Sequence, residues 1–163
     1  MRLAVSLLGA VLCGLAALTL GAAFAPTARG PADADAVAVH AYRDEFAPDL
    51  LGRQAEIDEL AQAIDTEPTA AQRVDRYEAE VLPRAQEVLA FVEGYHPATG
   101  PIAAAHEHAV AAARLSRQVA EETADAYRAG GDTAELARAR HLADQETREW
   151  RRWLDALLAL NPP

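Results

Sequence analysis

The histidines are the residues of this chain best suited to chemistry, and their spacing limits what that chemistry could be. His106-Glu107-His108 is the densest cluster. Residues two apart on a helix point about 200° apart, so these two cannot clamp one metal ion together. Val110 stands where an H-E-x-x-H zinc motif needs its second histidine. Glu93-Gly94-Tyr95-His96 has the Glu-x-x-His spacing of di-iron bundles. That chemistry wants two such motifs inside helices, whereas this single copy is broken by Gly94 and followed by Pro97. No metal site is therefore expected. With Leu115, Val119 and Ala126 taken as the core line of their helix, His108 faces the core and His106 faces away. A core-facing histidine is either a hydrogen-bonded packing residue or a single ligand or proton-responsive group. His40 and His141 fall off the apolar faces of their helices.

Other chemistries find less support. Cys13 is the only cysteine and Met1 the only methionine. The chain thus lacks a Cys-x-x-Cys-His haem attachment and a Met/His axial pair, and no cofactor is expected. Beyond the leader the one serine is Ser116, inside a helix with no histidine placed beside it by spacing. No glycine-rich phosphate loop follows a strand. Catalytic residues are therefore assigned to none of these positions, and the chain reads as a non-enzyme. One buried polar pair is expected. Arg53 lies within the stripe of the first helix, and Glu146, beside Thr147, lies near the stripe of the last, at a similar height. Either Arg53 pairs with Glu146 inside the bundle, with Tyr77 one or two turns away, or its head reaches outward from a kink at Pro48.

These residues must be positioned by helices, because the pattern from about residue 36 is helical throughout. Val39, Tyr42, Phe46, Leu50, Ile57, Leu60 and Ile64 share one stripe that stays in phase across Pro48, which predicts one kinked helix. Thr69-Ala70-Ala71-Gln72 forms a capping box. It opens a second helix with Val74, Tyr77, Val81, Ala85, Val88, Val92 and Tyr95 on its stripe, ended by Gly94 and Pro97. Gly100-Pro101 opens a third helix and Gly130-Gly131 closes it. Asp132 to Glu135 caps the fourth, which carries Leu136, Ala139, Ala143, Trp150, Trp153, Leu154 and Leu157. Short connections place consecutive helices antiparallel, so residues 36–163 are expected to form an all-α, up-down-up-down four-helix bundle. Its aromatic residues Tyr42, Phe46, Phe91, Trp150 and Trp153 should gather at the end where the first helix begins, with His108 among them.

Leu3 to Ala25 carries no charge and is long enough for a membrane span of ~20 apolar residues. Residues 1–25 are either a cleaved secretory signal or an uncut anchor. Ala23-Phe24-Ala25 fits the small-x-small cleavage pattern, whereas Pro26 and the length of the apolar run speak for an anchor. Arg2 marks the cytoplasmic end in either case, so the remainder faces outward. Cys13 follows Leu12 and fits no lipobox. Residues 26–35, with two prolines and a glycine, read as a flexible linker.

Removing residues 1–25 leaves 138 residues, one domain, with 14 basic and 25 acidic side chains and a net charge of −11. Every basic residue is arginine. Such a surface repels phosphate backbones and anionic lipid headgroups, which excludes nucleic acid as a partner. The expected function is an extracytoplasmic, non-catalytic binding module, held to the membrane through residues 3–25 if the leader is uncut. Its partner would be an envelope protein or a cell-wall component. The alternative is a small-ligand or metal sensor built on His108 with Tyr42, Phe91, Trp150 and Trp153.

Overall fold

The computed structural model describes residues 31–160. The expected leader, Cys13 and residues 26–30 of the linker lie outside the described residues. Within them the chain is all-helical, with four helices and no strand. Helix α1 runs through Pro31–Ala41, a π turn at Tyr42–Phe46, and Ala47–Asp65. Helix α2 runs through Ala70–Arg76, a second π turn at Tyr77–Val81, and Leu82–Glu93. Helix α3 spans Gly100–Ala129 and α4 spans Glu135–Ala159. None of the described helices is long and apolar enough to cross a membrane.

Helix α1 begins at Pro31, inside the segment expected to be linker. Proline is tolerated in a first helical turn. The two π turns answer Pro48 and Pro83. A proline inside a helix lacks the N–H of its turn and crowds the carbonyl four residues back. In both cases the turn before it opens to a five-residue spacing: Ala47 N–H donates to the Tyr42 carbonyl, and Leu82 N–H to that of Tyr77. Both helices thus continue through their prolines, and each π turn carries a buried tyrosine. Thr69 caps α2 by accepting from the Gln72 N–H at 3.2 Å. Gly130 and Gly131, with φ of 126° and 74°, end α3, and Gly131 N–H closes on the Ala126 carbonyl at 2.8 Å.

Cross-helix contacts set the directions. Residues 42, 54 and 65 of α1 meet residues 106, 116 and 127 of α3 in the same order, so these helices run parallel. Residues 42 and 54 of α1 meet residues 153 and 146 of α4 in reverse order. Helix α3 packs most extensively on α4, whereas α1 and α4 approach each other less closely. The core face of α3 explains this. It includes Ala105, Ala109, Ala112, Ala113, Ala120 and Ala124, all buried, and small side chains let backbones approach. The wider α1–α4 seam is where the interior holds space.

Candidate functional site

A cavity of about 110 Å³ lies between α1, α3 and α4 and reaches Tyr77 and Val81 of α2. Its walls combine apolar side chains such as Ile57, Val119 and Leu136 with Asp58, Asp65, Glu146, Tyr77, Thr123 and Tyr127. Three carboxylates in one mostly apolar cavity is an arrangement that burial opposes, since charge leaves water at a cost.

Each carboxylate is held by one oxygen. Glu146 Oε1 accepts from Trp150 Nε1 at 3.2 Å, from Gln54 Nε2 at 3.4 Å and, in a short bond, from the Ser116 hydroxyl. Asp58 Oδ1 accepts from the same Gln54 amide at 3.3 Å. Asp65 Oδ1 accepts from the Tyr127 hydroxyl at 2.7 Å. Among the described residues no donor reaches Glu146 Oε2, Asp58 Oδ2 or Asp65 Oδ2. None of these oxygens is sealed off without a partner either, since no buried side-chain polar atom is unsatisfied. Glu146 is half-buried and lines the cavity. Arg140, the one basic residue of the lining, makes no ion pair or hydrogen bond among the described residues.

The surroundings raise the proton affinity of all three acids. Burial pushes Glu146 up to about 7, against the bonds from Ser116 and Trp150 and with a smaller push from the Asp58 charge. Burial pushes Asp58 up to about 6, against its bond from Gln54. Asp65 is raised by burial too, opposed by the Tyr127 hydroxyl and the Arg73 charge. Tyr77 and Tyr127 are both raised, first by burial, and stay neutral. The cavity is thus rich in acceptors, and two of its carboxyl groups, Glu146 and Asp58, exchange protons near neutral pH.

The opposite end of the bundle is filled. Tyr42 stacks on Phe46 with ring centroids 4.9 Å apart, Phe46 stacks on Phe91 at 5.0 Å, and Trp150 meets Trp153 edge-on at 5.5 Å. Tyr42 and Trp153 have no exposure. The structure therefore brings the expected aromatic residues together, but the histidine among them is His106. His106 is 6 % exposed, whereas the His108 side chain is 38 % exposed. This reverses the expected orientation. The expectation followed the large side chains Leu115 and Val119, which flank the core half-buried, while the alanine run turned about 100° away forms the core line.

The bonds around His106 fix its state. Its Nε2 lies 2.9 Å from the Val92 carbonyl, which can only accept, so Nε2 carries the proton. Nδ1 then accepts from the Tyr42 hydroxyl at 3.3 Å, and that hydroxyl accepts from Trp153 Nε1 at 3.0 Å. Every donor in this chain has an acceptor with the imidazole neutral. Burial lowers the His106 pKa, against the bond to Val92. His108 instead meets Glu149 at 2.8 Å on the α3–α4 flank.

The Arg53–Glu146 pair does not form. Arg53 binds Asp49 through Nε at 3.1 Å and Nη2 at 3.4 Å, and its guanidinium lies 4.5 Å over the Phe91 ring. Gln54 occupies the interior position and reaches Glu146 in its place. Ala47 and Leu51 are buried, which moves the centre of the α1 face towards residue 54 and leaves residue 53 at its edge. Those two apolar residues were the sequence signal for a buried Gln54. Asp58 and Ser116 were likewise not singled out as a joint site, because one is a common helix-surface residue and the other a lone serine. Among the described residues no group of three or more His, Cys, Asp or Glu side chains is placed to hold a metal ion. No family model, no curated protein and no solved structure matches the chain.

Proposed function

We propose that this chain is a non-catalytic binding protein of the cell envelope. In this reading it is an up-down-up-down four-helix bundle carried outward by its apolar leader, and it binds a small molecule in the cavity between α1, α3 and α4. The observation that carries the reading is the set of three cavity-lining carboxylates, each fixed through one oxygen and open at the other. A concave surface with apolar walls and a few polar groups is the usual form of a small-ligand site. The filled aromatic end moves that site away from His108, Tyr42 and Trp153. A larger envelope partner would be met through charge. The only exposed large apolar residues among those described are Val37 and Leu158, too few for an apolar docking face.

Native intact-mass spectrometry on the protein taken from its own cells tests this. Bound mass that disappears on denaturation is expected, and Ala143→Leu, which fills the cavity wall, should abolish it. A bare chain mass, or bound mass retained in Ala143→Leu, would overturn the assignment.

A further inference from the structure

We propose that the cavity takes a short unbranched carboxylate, its head bound by Tyr77, Thr123 and Arg140 and its alkyl chain running towards Glu146. This rests on the cavity-binding reading above. Three donors without a protein partner carry the choice. Tyr77 is 6 % exposed and Thr123 is 8 % exposed, and both line the cavity. Neither hydroxyl makes a hydrogen bond among the described residues. No fully buried side-chain polar atom lacks a partner, so both hydroxyls open onto the space beside them. Burial keeps the Tyr77 phenol protonated, and it therefore has a proton to donate. The third donor is Arg140. The other half-buried arginines among the described residues, Arg43, Arg53, Arg73, Arg76 and Arg117, each meet an acceptor. Arg140 meets none, in a chain with 25 acidic residues. Polar groups withdrawn from water without partners cost stability, and an acceptor that reaches all three would relieve them together.

The helices bring these donors to one end of the cavity. Tyr77 lies against Tyr127, and Thr123 precedes Tyr127 by one turn on the same face of α3. Glu122 pairs with Arg138 across the α3–α4 seam at 3.0 Å, which sets Thr123 opposite the turn that carries Arg140. The local charge at this end is positive although the cavity as a whole is acidic. Arg73, whose guanidinium lies 5.2 Å over the Tyr127 ring, joins Arg140, and the acid of the lining here is Asp65. One Asp65 oxygen is already taken by the Tyr127 hydroxyl. Asp58 stands two turns away along α1, about 10 Å, and Glu146 lies further still, at the level of Gln54. A carboxylate accepts several hydrogen bonds and matches a guanidinium fork, whereas an ammonium offers these donors no acceptor.

Size and shape narrow the class. A cavity of about 110 Å³ is smaller than the ~150 Å³ that admits benzene, so roughly four to six non-hydrogen atoms fit inside. The lining extends along α1 from Asp65 to Gln54, eleven residues or about 16 Å, so the space is long and narrow. Between its ends the walls are Ile57, Ala61, Val119, Ala120, Ala139 and Ala143, which suit an unbranched alkyl chain better than a ring.

The test is calorimetric titration of the full-length protein at pH 7 with butyrate, butan-1-ol and n-butylammonium. Butyrate should bind at least tenfold tighter than either of the others. Arg140→Gln should weaken it about tenfold, and Tyr77→Phe and Thr123→Val about fivefold each. The last two keep the side-chain shape and break no bond within the protein, so both should stay folded. Arg138→Gln, on the exterior, should leave butyrate binding unchanged. Equal or tighter binding of butan-1-ol or n-butylammonium would overturn the carboxylate and leave the cavity reading standing. Butyrate binding that is unchanged in Tyr77→Phe and Thr123→Val, or weakened equally by Arg138→Gln, would overturn the site of the head. Absence of binding by all three probes would overturn the ligand class, and the native-mass measurement then decides the cavity reading separately.

Discussion

Glu146 is the group whose replacement is most informative, because the fold holds its carboxyl in a state the unfolded chain does not share. Its pKa rises from 4.5 to about 7 on folding, chiefly through burial. Between those values the folded protein keeps a proton that the unfolded chain has lost. Stability is therefore highest with respect to this group below pH 4.5 and declines as pH rises through 7. Above 7 the ionised, buried carboxylate costs the native state about 3 kcal/mol. Glu146→Gln removes that charge and preserves the shape. The amide oxygen can still accept from Ser116, Trp150 and Gln54, and the NH2 group takes the place of the open oxygen on the cavity. The variant should match the wild type near pH 5 and exceed it progressively up to about 3 kcal/mol at pH 8, roughly 10 °C in melting temperature for a domain of this size. Urea unfolding followed by circular dichroism at several pH values from 5 to 8 measures the difference directly. Taking wild type and variant together cancels His106 and the remaining carboxylates, which titrate in both. A difference that is flat with pH, or a variant less stable than wild type at pH 8, would refute the account of Glu146 as a buried and strained acid.

The two neighbouring histidines should behave oppositely: His106→Ala loses buried bonds to Tyr42 and Val92 and leaves a void, costing about 3 kcal/mol, while His108→Ala on the flank should cost under about 1 kcal/mol, both by urea unfolding. His106 is held neutral and its pKa is lowered, so its contribution is fully present above the unfolded value of 6.5 and is lost as pH falls through the folded one; His106→Leu should unfold with less acid sensitivity below pH 6.5 than wild type. Gly131→Ala should cost about 1–2 kcal/mol, because φ is +74° and the new Cβ would sit 3.0 Å from the Tyr127 ring, whereas Gly100→Ala meets open space and should be neutral or stabilising by about 0.5 kcal/mol in thermal melts. Arg53→Leu should stay fully folded with a change of about 0.5 kcal/mol or less, since its bond to Asp49 is exposed and a leucine can still cover the half-buried Phe91 ring, and loss of folding would show an interior role for this arginine.

Helix number, the Thr69 cap, the Gly130-Gly131 stop and the gathering of aromatic residues were legible because each depends on a local pattern that packing reinforces. The site was not. Periodicity locates a face to within about one residue in each direction, or about 100°, and that margin separates Arg53 from Gln54. On α3 the same margin misplaced the histidines, because close packing prefers alanine and pushes larger residues to the flanks. Burial of Glu146 depends on three partners from α1, α3 and its own turn, Gln54, Ser116 and Trp150, which no spacing rule brings together.

The two ends of the bundle show why the cavity, and not the aromatic cluster, is the functional candidate. Both grow from the same local device. Tyr42-Arg43-Asp44-Glu45-Phe46-Ala47-Pro48 and Tyr77-Glu78-Ala79-Glu80-Val81-Leu82-Pro83 share the order Tyr-x-x-Glu-apolar-apolar-Pro. In each a π turn ahead of the proline carries a buried tyrosine. Because α1 and α2 run in opposite directions, the two tyrosines lie at opposite ends. At one end Tyr42 closes a chain from Trp153 to His106 to Val92 in which every donor and acceptor is used. At the other, Tyr77 and Tyr127 stand 5.8 Å apart beside Asp65, at one end of a cavity that extends past Asp58 to Glu146 and whose three carboxyls have raised pKa values. A structure selected for stability alone would replace buried acids with apolar residues of similar volume, as filling the first end demonstrates is within reach of this fold. Keeping Glu146 and Asp58 costs stability above neutral pH, so a cavity that retains them is a better candidate for a site than an end in which every donor and acceptor is used.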